Sequence, residues 1–155
     1  MYQWLVVVHL AGLVLFAFGH GVSMFVAFRL RSCRDRGLAW ELLELSQRGN
    51  RFAYLGLLLL IVGGLGAAAQ GSLLGTTWVI ATSVVLIVVL VAMFALAAGF
   101  YYPLRRRMAD DAGGGAGLDG DELVAALDNR RPEILAAVGL GGLLVMIALM
   151  VLKPA

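Results

Sequence analysis

Hydrophobic and polar positions in this chain fall into long blocks. Apolar residues run from Trp4 to Phe28, Phe52 to Gln70, Thr77 to Tyr102 and Ile134 to Leu152. A helix rises 1.5 Å per residue, so roughly 20 residues cross a hydrocarbon core of about 30 Å. Each run is long enough. None alternates apolar and polar positions as a strand would, and lipid admits only helices or closed barrels. The pattern predicts an all-α polytopic membrane protein, a bundle of four transmembrane helices in one membrane domain.

Charge sharpens this picture. All Asp, Glu and Arg residues lie between Arg29 and Arg51 or between Arg105 and Glu133, and Lys153 is the one charge elsewhere. The connecting segment Gly71 to Thr76 carries none. The positive-inside rule therefore makes loops 29–51 and 103–133 cytoplasmic and sends both termini outward, as expected of a multi-pass protein of the plasma (inner) membrane. The first run is too long for a signal peptide, and its positive charge follows it. Tyr2, Trp4, Trp78, Tyr101 and Tyr102 fall where interfacial aromatic anchors belong. With 61% hydrophobic residues, 14% charged residues and a net charge of +2, the expected surroundings are lipid and other membrane subunits or further copies of the chain, and not nucleic acid.

The loops offer little chemistry. Leu38, Leu42 and Leu45 recur at helical spacing beside Trp40, which predicts either an amphipathic helix on the inner leaflet or a cytoplasmic extension of helix two. A glycine-rich linker follows Asp111, and Pro132 suits the first turn of helix four. Asp119, Asp121 and Glu122 lack the spacing of a calcium loop. Cys33 is the only cysteine, so no internal disulfide forms, and its place among arginines reads as a solvated bystander. "GGLGAAAQG" in helix two has no strand before it and is not a nucleotide motif. Its glycines, with Gly63 and Ala67 four apart like Ala137 and Gly141, suit close helix packing, as do Gly12 and Gly19.

Two histidines, His9 and His20, lie in the first span, where no Asp, Glu, Lys or Arg is present in any span. Eleven residues separate them, so both project from nearly one face, roughly 16 Å apart along the axis. Transport is disfavoured because a proton or ion path needs acidic partners. Three readings remain open: hydrogen bonding between helices, axial ligation of b-type haem, and a copper or similar ion held with thioether help. Two rings on one helix cannot clamp one haem, so a second ligand is needed. By depth, Met93 falls near the level of His20 and Met150 near that of His9, and Gly19 with Gly21 would leave room beside His20. Such a pair of His/Met sites would be chemically coherent.

"VVVHLAGLVLFAFGHG" followed by a basic loop resembles the first helix of a group of small bacterial membrane proteins. The group includes the copper-resistance D proteins, the HemJ-type protoporphyrinogen oxidases and uncharacterised four-helix relatives, to which the likeness is closest. The resemblance rests on His9, on Gly19 ten residues later, and on the four-span layout. It implies haem binding at His9. Phe16 stands where the HemJ-type oxidases favour Trp, and apolar residues follow where they carry Arg, so the oxidase activity itself is not implied. The expectation is a redox-associated subunit holding b-haem through helix-one histidines. A noncatalytic structural subunit of a larger membrane complex is the alternative. A self-sufficient enzyme is not expected.

Overall fold

The computed structural model describes residues 1–99, 103–104, 106–108, 120–128 and 130–154. Among the described residues the chain forms helices α1 (Tyr2–Arg31), α2 (Arg36–Gln70), α3 (Thr77–Ala98), α4 (Gly120–Leu127) and α5 (Arg131–Leu152). All but the short α4 are long and apolar enough to cross a membrane. Their outward faces are apolar and bare, with Val14 69% and Phe94 70% exposed. In a soluble protein such surfaces would mark a docking site, but here they suit lipid. Tyr101, Tyr102, Arg105 and Asp119 lie outside the described residues.

α1 packs along α2, α3 packs along α5, and α1 touches α5 over a shorter stretch. The bundle is thus two hairpins laid together. Glycine makes the first hairpin close. A Cβ at Gly19 would stand 2.5 Å from the Ala53 amide nitrogen, and one at Gly63 would stand 2.6 Å from that of His9. Gly12 and Gly56 likewise meet backbone of the facing helix, near Leu60 and Phe16 respectively. Gly49, Gly56 and Gly63 recur every seven residues on α2, as Gly12 and Gly19 do on α1. A seven-residue period keeps one seam facing its partner through a left-handed crossing.

Two expectations about packing need correction. Gly141 meets no atom within 4 Å, and Ala137 is exposed. The α5 glycines that approach neighbours are Gly139 and Gly142, which face His20 and Val89. Gly19 is taken up by its contact with Ala53, whereas a Cβ at Gly21 would meet nothing within 4 Å. The reason is angular: residues four apart mark one stripe of α5, and that stripe points away from both neighbours.

Loop one is largely helix. α2 runs unbroken from Arg36, started by Asp35, whose Oδ1 accepts from the Leu38 amide at 2.7 Å. This is an N-cap followed by a segment without proline. Of the two alternatives, the extension of helix two is the one formed. Its packing face is Ala39, Leu43, Ser46 and Gly49, while Leu38 and Leu45 are exposed. Cys33 is not solvated. It is buried with Val26, Leu30, Leu43, Leu104, Met108 and Leu127 in a small core at the charged end, and its thiol donates to the Asp35 carbonyl at 3.0 Å. Leu127 brings α4 into this core. Arg31 pairs with Glu133 and, at 3.7 Å, with Asp128, and Pro132 sits in the first turn of α5.

Candidate functional site

Among the described residues, two cavities lie in the seam between the hairpins. One, of about 320 Å³, lies toward the charged end and is lined by His20, Met93 and Asn50 among others. The second, of about 410 Å³, lies toward the termini and is lined by His9, Met150, Trp78 and Thr82 among others. Both volumes fall in the range of small-molecule sites. Each cavity therefore holds one histidine and one of the two methionines that depth alone had paired with it. Tyr2 near one terminus and Met150 near the other share the second cavity. Nearby, the Lys153 ammonium stands 5.8 Å from the Trp78 ring centre.

The rings share one face of α1 but meet different helices. His9 lies over Gly64 of α2, where a Cβ would come within 2.7 Å of Nδ1. Nδ1 is 2.7 Å from the Leu60 carbonyl oxygen. A carbonyl only accepts, so Nδ1 carries the proton and a neutral ring keeps its lone pair on Nε2. Ligating histidines are commonly oriented this way, by a carbonyl on the far nitrogen. Gly64 supplies the space and the Leu60 carbonyl supplies the orientation.

His20 is arranged otherwise. Its ring is parallel to that of Phe16, with an interplanar angle of 1° and centroids 5.8 Å apart. Nε2 is buried without a hydrogen-bond partner. A Cβ on Gly139 would stand 2.5 Å from Nε2 and 3.3 Å from the Met93 methyl carbon. Met93 and His20 are therefore neighbours, but the α5 backbone closes that nitrogen and a porphyrin face has no space on it.

One polar group escaped the sequence reading. Ser23 of α1 donates to Asn50 Oδ1 at 2.6 Å and approaches the Ser46 carbonyl at 3.4 Å. Ser46 and Asn50 fall in the segment 29–51, which its charge marks as a loop between spans. In fact α1 continues as far as Arg31, and α2 runs beside it, so positions four apart on α2 share its packed face. Thr82 and Ser83, by contrast, donate to carbonyls of their own helix at 2.7 and 2.8 Å and so need no partner.

Among the described residues no three His, Cys, Asp or Glu side chains converge as a metal site. A copper ion at either histidine would therefore rest on one imidazole and thioether sulfur. No family model, no curated protein and no solved structure matches the chain.

Proposed function

We propose that this is a small redox-associated subunit of the plasma (inner) membrane, with both termini outside, holding one b-type haem in the cavity near the termini. His9 and Met150 are the residues that would hold it. The observation that carries this reading is the bond from His9 Nδ1 to the Leu60 carbonyl, 2.7 Å long. It orients the ring and leaves Nε2 unprotonated for iron. Met150 lines the same cavity, and His/Met ligation raises a haem potential. The bound group would supply one-electron chemistry. The chain's own residues would orient the imidazole, exclude water with apolar walls and hold the two hairpins around the ring. The closed Nε2 of His20 favours one haem over two.

The second reading is a noncatalytic structural subunit packed against a larger membrane complex or another copy of the chain. The same His9 bond favours it, because a side chain donating to a neighbouring helix is ordinary interhelical glue.

A visible spectrum separates them. Protein isolated with its native partners should show a Soret band that His9→Ala removes and His20→Ala retains. Absence of haem absorbance from the wild type would leave the structural subunit. Orientation is tested in a Cys33→Ser chain: a cysteine at Ser72 should label from outside the cell, and one at Gly114 should not.

A further inference from the structure

We infer that the cavity at the charged end is a binding site for a lipid-soluble quinone, a planar neutral ring with carbonyl acceptors and an apolar tail. The inference stands apart from the haem reading, since it uses His20, Ser23 and Asn50 and none of the residues around His9. Three features of the cavity select that chemistry.

The first is neutrality. The described lining residues include no Asp, Glu, Lys or Arg, so a charged headgroup or free anion would find no counter-charge inside an apolar wall. The second is hydrogen bonding confined to one part of the wall. His20 Nε2 is buried with no partner, and buried imidazole nitrogen is ordinarily satisfied by protein, water or ligand. Close by, Ser23 donates to the oxygen of Asn50, and the amide nitrogen of that side chain is a donor. A ring carrying carbonyl oxygens takes up donors of this kind.

The third is shape. Phe16 and His20 present parallel rings at 5.8 Å, an offset pair that forms a flat wall for a planar ring. Leu57, Leu90 and Leu135 complete an apolar lining for a tail. The cavity opens between hairpins that touch over a short α1–α5 stretch, and Gly139 stands against His20 Nε2 and the Met93 methyl. A slight parting of the seam frees the imidazole for the ligand, and the carbonyl of the ring then satisfies the nitrogen that α5 leaves unmet.

The test uses the purified protein in detergent, titrated with oxidised decylubiquinone and, separately, with decanol as a chain lacking carbonyls. Decylubiquinone should raise the unfolding temperature saturably, whereas decanol at the same concentration should not. Asn50→Leu and His20→Ala should each weaken quinone binding by roughly tenfold, as expected when one ligand hydrogen bond to a buried group is removed. The lipid-facing Val91→Ala should bind as the wild type does. Equal stabilisation by decanol, or unchanged affinity in both variants, would overturn the assignment. If the variants do not fold, a photoactivatable azidoquinone on the wild type decides the matter. Labelling within residues 16–27, 46–57, 90–97 or 132–136 supports the site, and labelling confined to other segments refutes it.

Discussion

The seam inside the first hairpin and the seam between the two hairpins are built on opposite principles. Between α1 and α2 the contact is backbone on backbone. Gly12, Gly19, Gly56 and Gly63 remove the side chains that would hold the helices apart. Between the hairpins the contact is made by side chains, and it leaves two cavities. Lipid tails are as apolar as leucine, so burial from water cannot drive helices together in a membrane; close packing and interhelical hydrogen bonds must do so. The glycine seam uses both, with the His9–Leu60 and Ser23–Asn50 bonds set beside its close-packed backbones. The seam between hairpins uses less of either and keeps space for ligands. Rigidity and chemistry are therefore placed in different parts of one small bundle.

The contrast is broken most directly at Gly56. A leucine there must push against the Phe16 backbone of α1, which cannot move without the whole helix. Gly56→Leu should cost about 3 kcal/mol or more, read as a large fall in unfolding temperature in detergent. Gly141→Leu, on a face with nothing within 4 Å, should leave it unchanged. Equal effects at the two positions would mean that α1 and α2 do not meet through glycine.

Much of this architecture was legible in the sequence. The four spans follow from run length alone, and Gly12, Gly19 and Gly63 were identified as packing residues. The better signal was the seven-residue spacing of Gly49, Gly56 and Gly63, which a search for small residues four apart overlooks. That search also selected Gly141, because spacing along a helix identifies a stripe without saying which way the stripe faces. The pairing of His9 with Met150 and His20 with Met93 came from depth alone, since antiparallel spans of known length fix which residues share a level. Depth could not distinguish the two histidines. His9 is satisfied because Gly64 lets its ring reach the Leu60 carbonyl, whereas His20 meets a helix from the other hairpin. The helical extension through Ser46 and Asn50 is one of the two readings that the leucine spacing allows; that α1 continues beside it to Arg31, bringing these polar residues against Ser23, has no signal in the spacing.

Gly64 sharpens the comparison from the ligand side. A valine there would displace the movable ring of His9 and leave the backbone seam intact, because the nearest atoms are Nδ1 and Cε1 of that ring. Gly64→Val should lower haem retention about tenfold or more, the usual cost of disturbing the group that orients a ligand. Its unfolding temperature should fall far less than that of Gly56→Leu. Retained haem would place the ligand elsewhere.

A smaller effect is expected at Ser23. Its bond to Asn50 at 2.6 Å joins α1 to α2, and hydrogen bonds between membrane helices contribute about 0.6 kcal/mol on average. Ser23→Ala should therefore lower stability by about 1 kcal/mol or less, measured by reversible unfolding in mixed micelles. A loss several times larger would show that the first hairpin depends on its polar contacts as well as its glycines.

The smallest effect concerns Arg31, at the charged end. Its side chain joins α1 to Glu133 at the start of α5 and to Asp128 before it, so it ties the two hairpins where the cavities do not. The partners are substantially exposed, with side chains 38% exposed at Glu133 and 74% at Asp128. Exposed ion pairs of this kind contribute about 0–1 kcal/mol because water screens them. Arg31→Gln should thus reduce stability by less than about 1 kcal/mol in dilute buffer, and the difference from wild type should shrink further as salt is raised. Measured beside Gly56→Leu, this change tests whether the hairpins are held together by their electrostatic clasp or by the α1–α5 contact at Gly139. A large, salt-sensitive loss would assign the seam to the clasp, and the cavities would then open and close with the ionic strength at the membrane surface. A small loss assigns it to helix packing, and the cavities keep their form whatever the charges at that end are doing.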